Sequence, residues 1–219
     1  MLVEILGSFG AGKTSLTELL AQELGFKTYI EDPDKVPILK EFYKYGEESR
    51  KHLSFAVQVA WLSERFAQLK QAVKDDKAVI DGSLIADSVV YKVIKDRGET
   101  IDAEYDIYLK LLATMMNDQA LSPHGPYPDL FIYLDIDPQH EVDNIFKRGR
   151  EMETEDKALV EYYNSINKGF KDWYAGYSQS PVLRIDMEKY DFVNNPSDRK
   201  EVVELIKNRL DELGVKYDA

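Results

Sequence analysis

The sequence predicts an α/β fold with a five-stranded parallel sheet flanked by helices. Apolar, β-rich runs alternate along the chain with amphipathic segments, which is typical of strand–helix–strand units. The run at 130–136 is almost continuously apolar, as expected for a strand buried in a parallel sheet. The first apolar run, 2–6, leads directly into a glycine-rich turn. In such a fold, ligands bind at the carboxyl ends of the strands.

Each element has a signal of its own. Gly25 ends the first helix, because glycine readily adopts the left-handed conformation after a helix C-terminus. Apolar residues at three- and four-residue steps indicate a long helix that begins at residue 54. Since the chain has no repeat, linker or low-complexity tract, we expect one domain over 1–219. The predicted strands are 2–6, 28–30, 78–80, 130–136 and 182–185, and the predicted helices are 15–24, 54–74, 101–117, a segment ending near 148, and 199–213.

Composition argues against several classes of function. The 219 residues carry a net charge of −12, which argues against duplex nucleic acid as a partner, because neutralising phosphates requires clustered cations. The lack of cysteine excludes disulfides, zinc-thiolate sites and thiol nucleophiles. No apolar stretch approaches the roughly 18 residues of a membrane span, and the N-terminal run lacks the basic start of a signal peptide. We therefore expect a cytoplasmic protein with no membrane or nucleic-acid partner.

Residues 7–14 form the clearest motif in the chain. Their sequence, GSFGAGKT, matches G-x-x-x-x-G-K-[ST] at every fixed position, after an apolar strand and before a helix. The glycines let backbone N–H groups converge on a phosphate, and the helix N-terminus adds partial positive charge. Lys13 should reach the β- and γ-phosphates of ATP, and the Thr14 hydroxyl should ligate Mg²⁺. The predicted nucleotide-binding residues here are Gly7, Ser8, Phe9, Gly10, Ala11, Gly12, Lys13, Thr14 and Ser15.

Two acidic residues directly follow predicted strands. Glu31 follows the second strand and Asp81 the third, at the edge where such a sheet collects its catalytic groups. An enzyme that phosphorylates a hydroxyl needs one carboxylate to accept the proton and another near the metal. We predict that Glu31 is the base and that Asp81 is a catalytic carboxylate and metal ligand; the alternative is that both only cap strand ends. Asp135 and Asp137 are interpreted as part of a turn before a helix.

The densest positive charge in this acidic chain is Lys147-Arg148-Gly149-Arg150. Arginines beside a glycine suit a lid that closes on transferring phosphates, so we predict a lid around 144–156 with Arg148 and Arg150 as catalytic cations. The alternative is a solvated last turn of a helix, where cations are favoured in any case.

One face of the helix at 54–74 carries polar and aromatic side chains. Ser54, Gln58, Trp61 and Arg65 are spaced so that they share this face. Gln58 offers a donor and an acceptor to a base edge, and Arg65 could pair with an acid such as Asp87. From spacing alone, an ordinary surface stripe is the favoured explanation of this face.

Taken in order, these residues resemble the deoxyribonucleoside kinases, and most of all the bacterial deoxyadenosine/deoxyguanosine kinases. The resemblance covers nearly the whole chain and implies a P-loop kinase fold. Besides the P-loop, it rests on Glu31 in Tyr-Ile-Glu-Asp-Pro, Phe42-Tyr43, Gln58 and Arg65 seven residues apart, Ile80-Asp81-Gly82-Ser83, Arg148-Gly149-Arg150 and Tyr190-Asp191-Phe192-Val193.

The resemblance implies an activity, a substrate and a set of roles. The chain would phosphorylate the 5′-hydroxyl of a purine deoxyribonucleoside with ATP and Mg²⁺ in nucleotide salvage. The family is usually dimeric through a helix bundle, for which the helices at 54–74 and 101–117 are candidates. The resemblance therefore implies a homodimer, and a heterodimer with a homologue is the alternative. The implied roles are Glu31 as 5′-hydroxyl base, Gln58, Arg65 and Asp87 at the nucleoside base, Tyr43 and Glu161 at the 3′-hydroxyl, Arg148 and Arg150 as lid arginines, and Asp191 and Phe192 beside the ATP adenine.

The sequence departs from the family pattern at two cationic positions. Where the family has Asp/Glu-Arg-Ser after the third strand, the chain has Asp81-Gly82-Ser83, and the first lid arginine is replaced by Asn144. Loss of such a cation typically costs about 10²- to 10³-fold in rate. The residues that could supply the missing positive charge instead are Lys147 and Arg97. There is also an apparent insertion around 47–51.

Two other functions fit the same motifs. A nucleoside monophosphate kinase would need extra cations at the acceptor, and Gly82 and Asn144 remove cations instead. A nucleotide-binding regulatory or partner subunit with weak activity would explain the lost arginines. Such a subunit would not need to keep the intact residues Lys13, Thr14, Glu31 and Asp81.

Overall fold

The computed structural model describes residues 1–122, 124–154 and 159–215. Within them, all the strands join one parallel sheet in the order β2-β3-β1-β4-β5, so the predicted five-stranded parallel sheet is confirmed. The central strand β1 has β3 on one side and β4 on the other. At such a position in a parallel α/β sheet, a crevice opens at the carboxyl ends of the strands. The strands are Leu2–Leu6 (β1), Lys27–Tyr29 (β2), Ala78–Asp81 (β3), Leu130–Asp135 (β4) and Val182–Asp186 (β5).

Helices cover both faces of the sheet. Successive residues of a strand point to opposite faces, so each strand contributes side chains to two separate clusters. Val3 and Ile5 enter one buried cluster with the apolar faces of α1 and α9, whereas Leu2 and Leu6 enter another that α3, α4, α5 and α8 cover. Among the described residues, no helix is both long and apolar enough to cross a lipid bilayer. The helices are Lys13–Leu24 (α1), Ile38–Lys44 (α2), Glu47–Ala72 (α3), Leu84–Asp96 (α4), Asp102–Gln119 (α5), Pro138–Arg148 (α6), Glu151–Thr154 (α7), Leu159–Gly176 (α8) and Pro196–Glu212 (α9).

The long helix α3 begins at Glu47 rather than at the predicted residue 54. Its first turns are polar, so they carry no apolar period, and the apparent insertion at 47–51 is simply helix. Arg50 is nevertheless buried, and its Nε atom pairs with the buried carboxylate of Glu99 at 2.9 Å. Four of the described helices, α2, α4, α7 and α8, were not predicted. Ser83 caps α4 by accepting a hydrogen bond from the Ala86 N–H at 2.8 Å.

A carboxyl group lies inside the sheet. Glu4 occupies the middle of β1, is 5 % exposed, and points to the same side as Leu2 and Leu6. Burial raises the pKa of Glu4 to about 8, while Arg65 acts to lower it and Asp87 to raise it. Glu4 is therefore largely protonated at neutral pH.

Because Glu4 is buried, we expect the free energy of unfolding to depend on pH. Between pH 4.5 and 8 the unfolded chain has released the Glu4 proton and the folded chain retains it, so stability contributed by this site falls as pH rises. Glu4→Gln should match the wild type near pH 5 and be more stable near pH 8.5, by up to about 4 kcal/mol. Urea unfolding at both pH values measures this difference, with exposed Glu18→Gln as control. An equal effect of Glu4→Gln at both pH values would contradict the prediction.

Candidate active site

A cleft of about 990 Å³ lies at the carboxyl edge of the sheet, large enough for two small ligands. It brings together most of the predicted site residues, although they are far apart in sequence. Gly7, Ser8, Arg65, Glu161 and Phe192 do not line it. The predicted residues that do are Phe9, Gly10, Ala11, Gly12, Lys13, Thr14, Ser15, Glu31, Tyr43, Gln58, Asp81, Asp87, Arg148, Arg150 and Asp191.

The P-loop wraps the N-terminus of α1 as the motif predicts. Gly10 has φ +71°, and a Cβ there would lie 2.9 Å from the Glu141 carbonyl oxygen, so only glycine fits. The first turn of α1 has no acidic residue and no side-chain cap, which leaves its N–H groups for an anion. The Lys13 ammonium donates to the carbonyls of Gly7 (3.1 Å) and Ser8 (2.9 Å) at the base of the loop.

A buried polar network supports the loop from behind, and no sequence signal pointed to it. Ser8 Oγ and Asn167 Nδ2 both donate to Glu141 Oε2 at 2.5 Å, which ties the loop to α6 and α8. Burial raises the pKa of Glu141 to about 7, opposed first by the hydrogen bond from Ser8. Asn144, which stands in place of a lid arginine, donates to the Gly10 carbonyl at 3.0 Å. This side chain therefore secures the loop in place of supplying a cation.

Thr14 and Asp81 meet at the end of β3. Thr14 Oγ1 donates to Asp81 Oδ2 at 2.5 Å, and Asp81 Oδ1 is buried with no hydrogen-bond partner in the described part of the chain. Burial raises the pKa of Asp81, with Lys13 acting to lower it and Glu31 to raise it. Within the described residues no group of three or more His, Cys, Asp or Glu side chains could hold a metal. The pair fits Mg²⁺, which is commonly held by one or two protein ligands together with phosphates and water.

Arg65 connects three acidic positions beneath the cleft. Its Nη2 atom donates to Glu31 Oε2 at 2.8 Å, its Nη1 atom to the Asp81 carbonyl at 2.7 Å, and its Nε atom lies 3.5 Å from Asp87 Oδ2. Burial acts to lower the pKa of Arg65, but the Asp87 and Glu31 carboxylates more than offset it, so this pKa is raised. Burial raises the pKa of Asp87 to about 6, with Arg65 opposing. The predicted pairing of Arg65 with Asp87 is confirmed.

The two arginines of the basic cluster are held by one carboxylate. Arg148 Nη2 lies 2.6 Å from Glu153 Oε2, and Arg150 Nη1 lies 3.3 Å from Glu153 Oε1. Glu153 is 6 % exposed and lines the cleft, whereas the arginines are partly exposed. Gly149 ends α6 in the left-handed conformation, and α7 follows at once. Of the predicted lid 144–156, residues 155 and 156 lie outside the described residues.

Aromatic residues form part of the wall of the cleft. Tyr43 is buried there, and burial followed by the neighbouring Tyr162, Tyr163 and Glu153 raises its pKa well above the ordinary value. The Tyr43 hydroxyl therefore stays protonated and can donate a hydrogen bond.

Glu161 was predicted at the sugar, but it lies elsewhere. Its side chain is 85 % exposed, its Oε1 atom is 3.8 Å from Arg97 Nη1, and it does not line the cleft. Glu153, three residues after Arg150, lines the cleft instead, and it was not predicted from the sequence. The only feature of the sequence that could have indicated Glu153 is its helical spacing, three residues after Arg150. Arg97, a candidate substitute cation, is bound to buried Glu99 at 3.0 Å, whereas Lys147 lines the cleft.

The chain segment after β5 closes the cleft beside the P-loop. Asp191 lines the cleft, and its carboxylate accepts hydrogen bonds from the Asn194 side chain at 3.0 and 3.1 Å. Phe192 is buried, and its Cζ atom lies 3.6 Å from the position of a Cβ on Gly12. The two residues predicted beside the ATP adenine thus lie next to the loop.

A family model of deoxynucleoside kinases matches residues 3–211, almost the whole chain. The chain belongs to the deoxynucleoside kinase family. The kinase is thus a transferase of nucleoside salvage with the P-loop kinase fold, and both the predicted resemblance and the predicted enzyme class are confirmed.

Individual relatives resemble the kinase over nearly its full length. It is 36% identical to the deoxyguanosine kinase of Lactobacillus johnsonii, over 97% of this chain and 93% of that protein. It is 35% identical to the deoxyadenosine kinase of Lactobacillus acidophilus, over 97% of each. A solved structure of deoxyadenosine kinase from M. mycoides with bound dATP superposes with a TM-score of 0.77 at 26% identity, covering 96% of this chain and 100% of that one.

Proposed function

We propose that this kinase transfers the γ-phosphoryl group of ATP to the 5′-hydroxyl of a purine deoxyribonucleoside, deoxyadenosine or deoxyguanosine, in the cytoplasm. The observation that carries the proposal is that a phosphate-binding loop with Lys13 and a carboxylate at Glu31 share one cleft. The names of the relatives, which are kinases of deoxyadenosine and deoxyguanosine, support the choice of a purine.

The phosphate end of the cleft supplies positive charge. The amides of the P-loop and the Lys13 ammonium would bind the β- and γ-phosphates. Thr14 and Asp81 are the residues that would hold Mg²⁺, which when bound neutralises charge on the phosphate oxygens. Arg148 and Arg150 would exchange their contact with Glu153 for the transferring phosphoryl group, because its charge exceeds that of one carboxylate.

At the acceptor, Glu31 would receive the proton of the 5′-hydroxyl. The 5′ oxygen forms a bond to the γ-phosphorus as the bond between that phosphorus and the bridging β–γ oxygen breaks, and ADP leaves. The proton lost by the hydroxyl passes to the Glu31 carboxylate, so the nucleoside becomes a 5′-monophosphate. Glu31 is about one-third exposed, which leaves its carboxylate accessible from the cleft.

The remaining cleft residues would recognise the nucleoside and the adenine of ATP. Tyr43 and Glu153 would bind the 3′-hydroxyl, since a protonated phenol and a carboxylate offer a donor and an acceptor. Gln58 and Asp87 would contact the base, with Arg65 behind Asp87. Asp191 and Phe192 would lie by the ATP adenine.

We further propose a homodimer formed through α3 and α5. Helix α5 spans 18 residues, but of its side chains only Tyr108 and Gln119 are buried. Ile107 and Leu109 are exposed on it, and Ile101 precedes it, also exposed. These exposed apolar side chains, on a helix that buries so few of its own, support α5 as part of the interface.

A panel of nucleosides with ATP and Mg²⁺ tests the proposal. We expect deoxyadenosine or deoxyguanosine to give the 5′-monophosphate with a kcat/KM at least about tenfold above those of the pyrimidine deoxynucleosides. Faster turnover of deoxyadenosine monophosphate than of deoxyadenosine would instead indicate a monophosphate kinase. ATP binding without turnover of any nucleoside would indicate a regulatory subunit.

A further inference from the structure

A buried carboxyl group stands directly behind the phosphate-binding loop. Glu141 on α6 is fully buried and does not line the cleft. Its Oε2 atom accepts hydrogen bonds from Ser8 Oγ and Asn167 Nδ2, both at 2.5 Å, and Asn167 Nδ2 also donates to the Ile136 carbonyl at 3.1 Å. Because Ser8 belongs to the loop and Asn167 to α8, this one carboxyl group joins the loop to two helices.

The loop residue that Glu141 holds also holds Lys13. The Ser8 carbonyl accepts a hydrogen bond from the Lys13 ammonium at 2.9 Å, while the Ser8 hydroxyl donates to Glu141. The backbone of Glu141 packs against the loop as well, since a Cβ on Gly10 would lie 2.9 Å from the Glu141 carbonyl oxygen. Glu141 therefore contacts the loop at two points, and one of them is the residue against which the P-loop lysine rests.

Two buried acceptors in this network have no donor. Glu141 Oε1 and Asn167 Oδ1 are buried without a hydrogen-bond partner among the described residues. Both donors converge on Glu141 Oε2, so an ionised carboxylate would bury its charge with one oxygen unsatisfied, which is costly. A proton on Oε1 removes the charge and turns an orphan acceptor into a donor. Burial, which raises the pKa of Glu141 to about 7, acts in the same direction.

We infer that Glu141 is a positioning residue of the P-loop, which fixes Ser8 and through Ser8 sets the place of Lys13 for the triphosphate of ATP. It acts as the neutral acid. The inference deepens the proposed function and rests on it for ATP as the ligand. Since Glu141 contacts the loop from behind and lines no part of the nucleoside site, its loss should weaken ATP binding and leave nucleoside binding unchanged.

Removing the acceptor tests this positioning role. Glu141→Leu should raise the Kd of ATP-Mg²⁺, measured by calorimetric titration without nucleoside, at least about tenfold, because Ser8 loses its anchor. Ser8→Ala is a smaller change that the fold should tolerate, and it should raise this Kd about three- to tenfold. Because both variants break one contact, the double variant should bind ATP no more than about twofold more weakly than Glu141→Leu. The KM for the nucleoside should stay within about threefold in all three.

Val142→Ala is the matched control, because Val142 is the next buried residue on α6 and its apolar side chain cannot bond to the loop. It should lower Tm by a few degrees through lost packing and leave the Kd of ATP within about twofold of the wild type. A Kd that rises no more in Glu141→Leu than in Val142→Ala would overturn the inference, as would additive effects of Ser8→Ala and Glu141→Leu. If the wild type bound ATP but phosphorylated no nucleoside, the proposed function would fail, and these affinities would still decide the role of Glu141.

Glu141→Gln is the conservative variant, and pH provides its readout. Glutamine keeps an acceptor for Ser8 and carries no charge, so this variant should bind ATP within about threefold of the wild type at pH 6.5. As pH rises through about 7 the wild type ionises Glu141, whose buried charge repels the triphosphate. Between pH 6.5 and 8.5 the wild-type Kd should therefore rise about three- to tenfold more than that of Glu141→Gln.

The same charged and titratable groups face residue 141 in both proteins, so they cancel in this comparison. They are Lys13 on α1, Lys171 on α8 and Tyr133 on β4. An equal pH dependence of ATP binding in the two proteins would overturn the assignment of Glu141 as a neutral acid.

Discussion

Replacing Glu31 by glutamine should lower kcat for the nucleoside by about 10²- to 10⁴-fold and leave ATP affinity within about threefold of the wild type. Glutamine keeps the size of the side chain and can still contact Arg65, but its amide cannot accept the proton of the 5′-hydroxyl. Steady-state kinetics with saturating ATP, together with calorimetric titration of ATP, separates the two effects.

Exposed Glu23 on α1 provides the control for this substitution. Glu23→Gln makes the same chemical change outside the cleft, and we expect wild-type kinetics. Turnover by Glu31→Gln within about threefold of the wild type would remove this carboxylate from the mechanism.

Replacing Lys13 by methionine should lower kcat/KM by about 10²- to 10³-fold and weaken ATP binding as well. Methionine has nearly the length of lysine but no charge, so the β- and γ-phosphates lose a cation in both the ground state and the transition state. The effect on ATP affinity distinguishes this variant from Glu31→Gln, in which only the chemical step should change.

Exposed Lys200 on α9 is the corresponding control, and Lys200→Met should behave as the wild type. Unchanged ATP affinity in Lys13→Met would mean that the triphosphate is bound without this ammonium, in conflict with the role of the P-loop.

The parts of the fold that could be predicted are those with strong local signals. The P-loop has fixed residue types in a fixed context, and the apolar strand at 130–136 admits few alternatives. Helix α3 was shortened in the prediction because its first turns are polar, and the burial of Arg50 within these turns depends on its tertiary pairing with Glu99. No local pattern encodes a pairing between residues so far apart in the chain.

The site shows the same division between local and tertiary information. Lys13, Thr14, Glu31 and Asp81 were predicted from strand ends and a motif, and they line one cleft. Glu153 was missed in favour of Glu161 because both are acidic residues after the basic cluster, and only the packing of α7 shows which one faces inward. The network of Ser8, Glu141 and Asn167 joins three distant elements and was equally invisible in the sequence.

The most direct test is a crystal structure of the kinase with deoxyadenosine and a non-hydrolysable ATP analogue. We expect the β- and γ-phosphates to lie against the backbone amides of residues 10–14 and the Lys13 ammonium. We also expect the nucleoside 5′ oxygen within about 3 Å of a Glu31 carboxylate oxygen, in line with the γ-phosphorus. A triphosphate bound away from the loop, or a 5′ oxygen facing a residue other than Glu31, would contradict the proposed function.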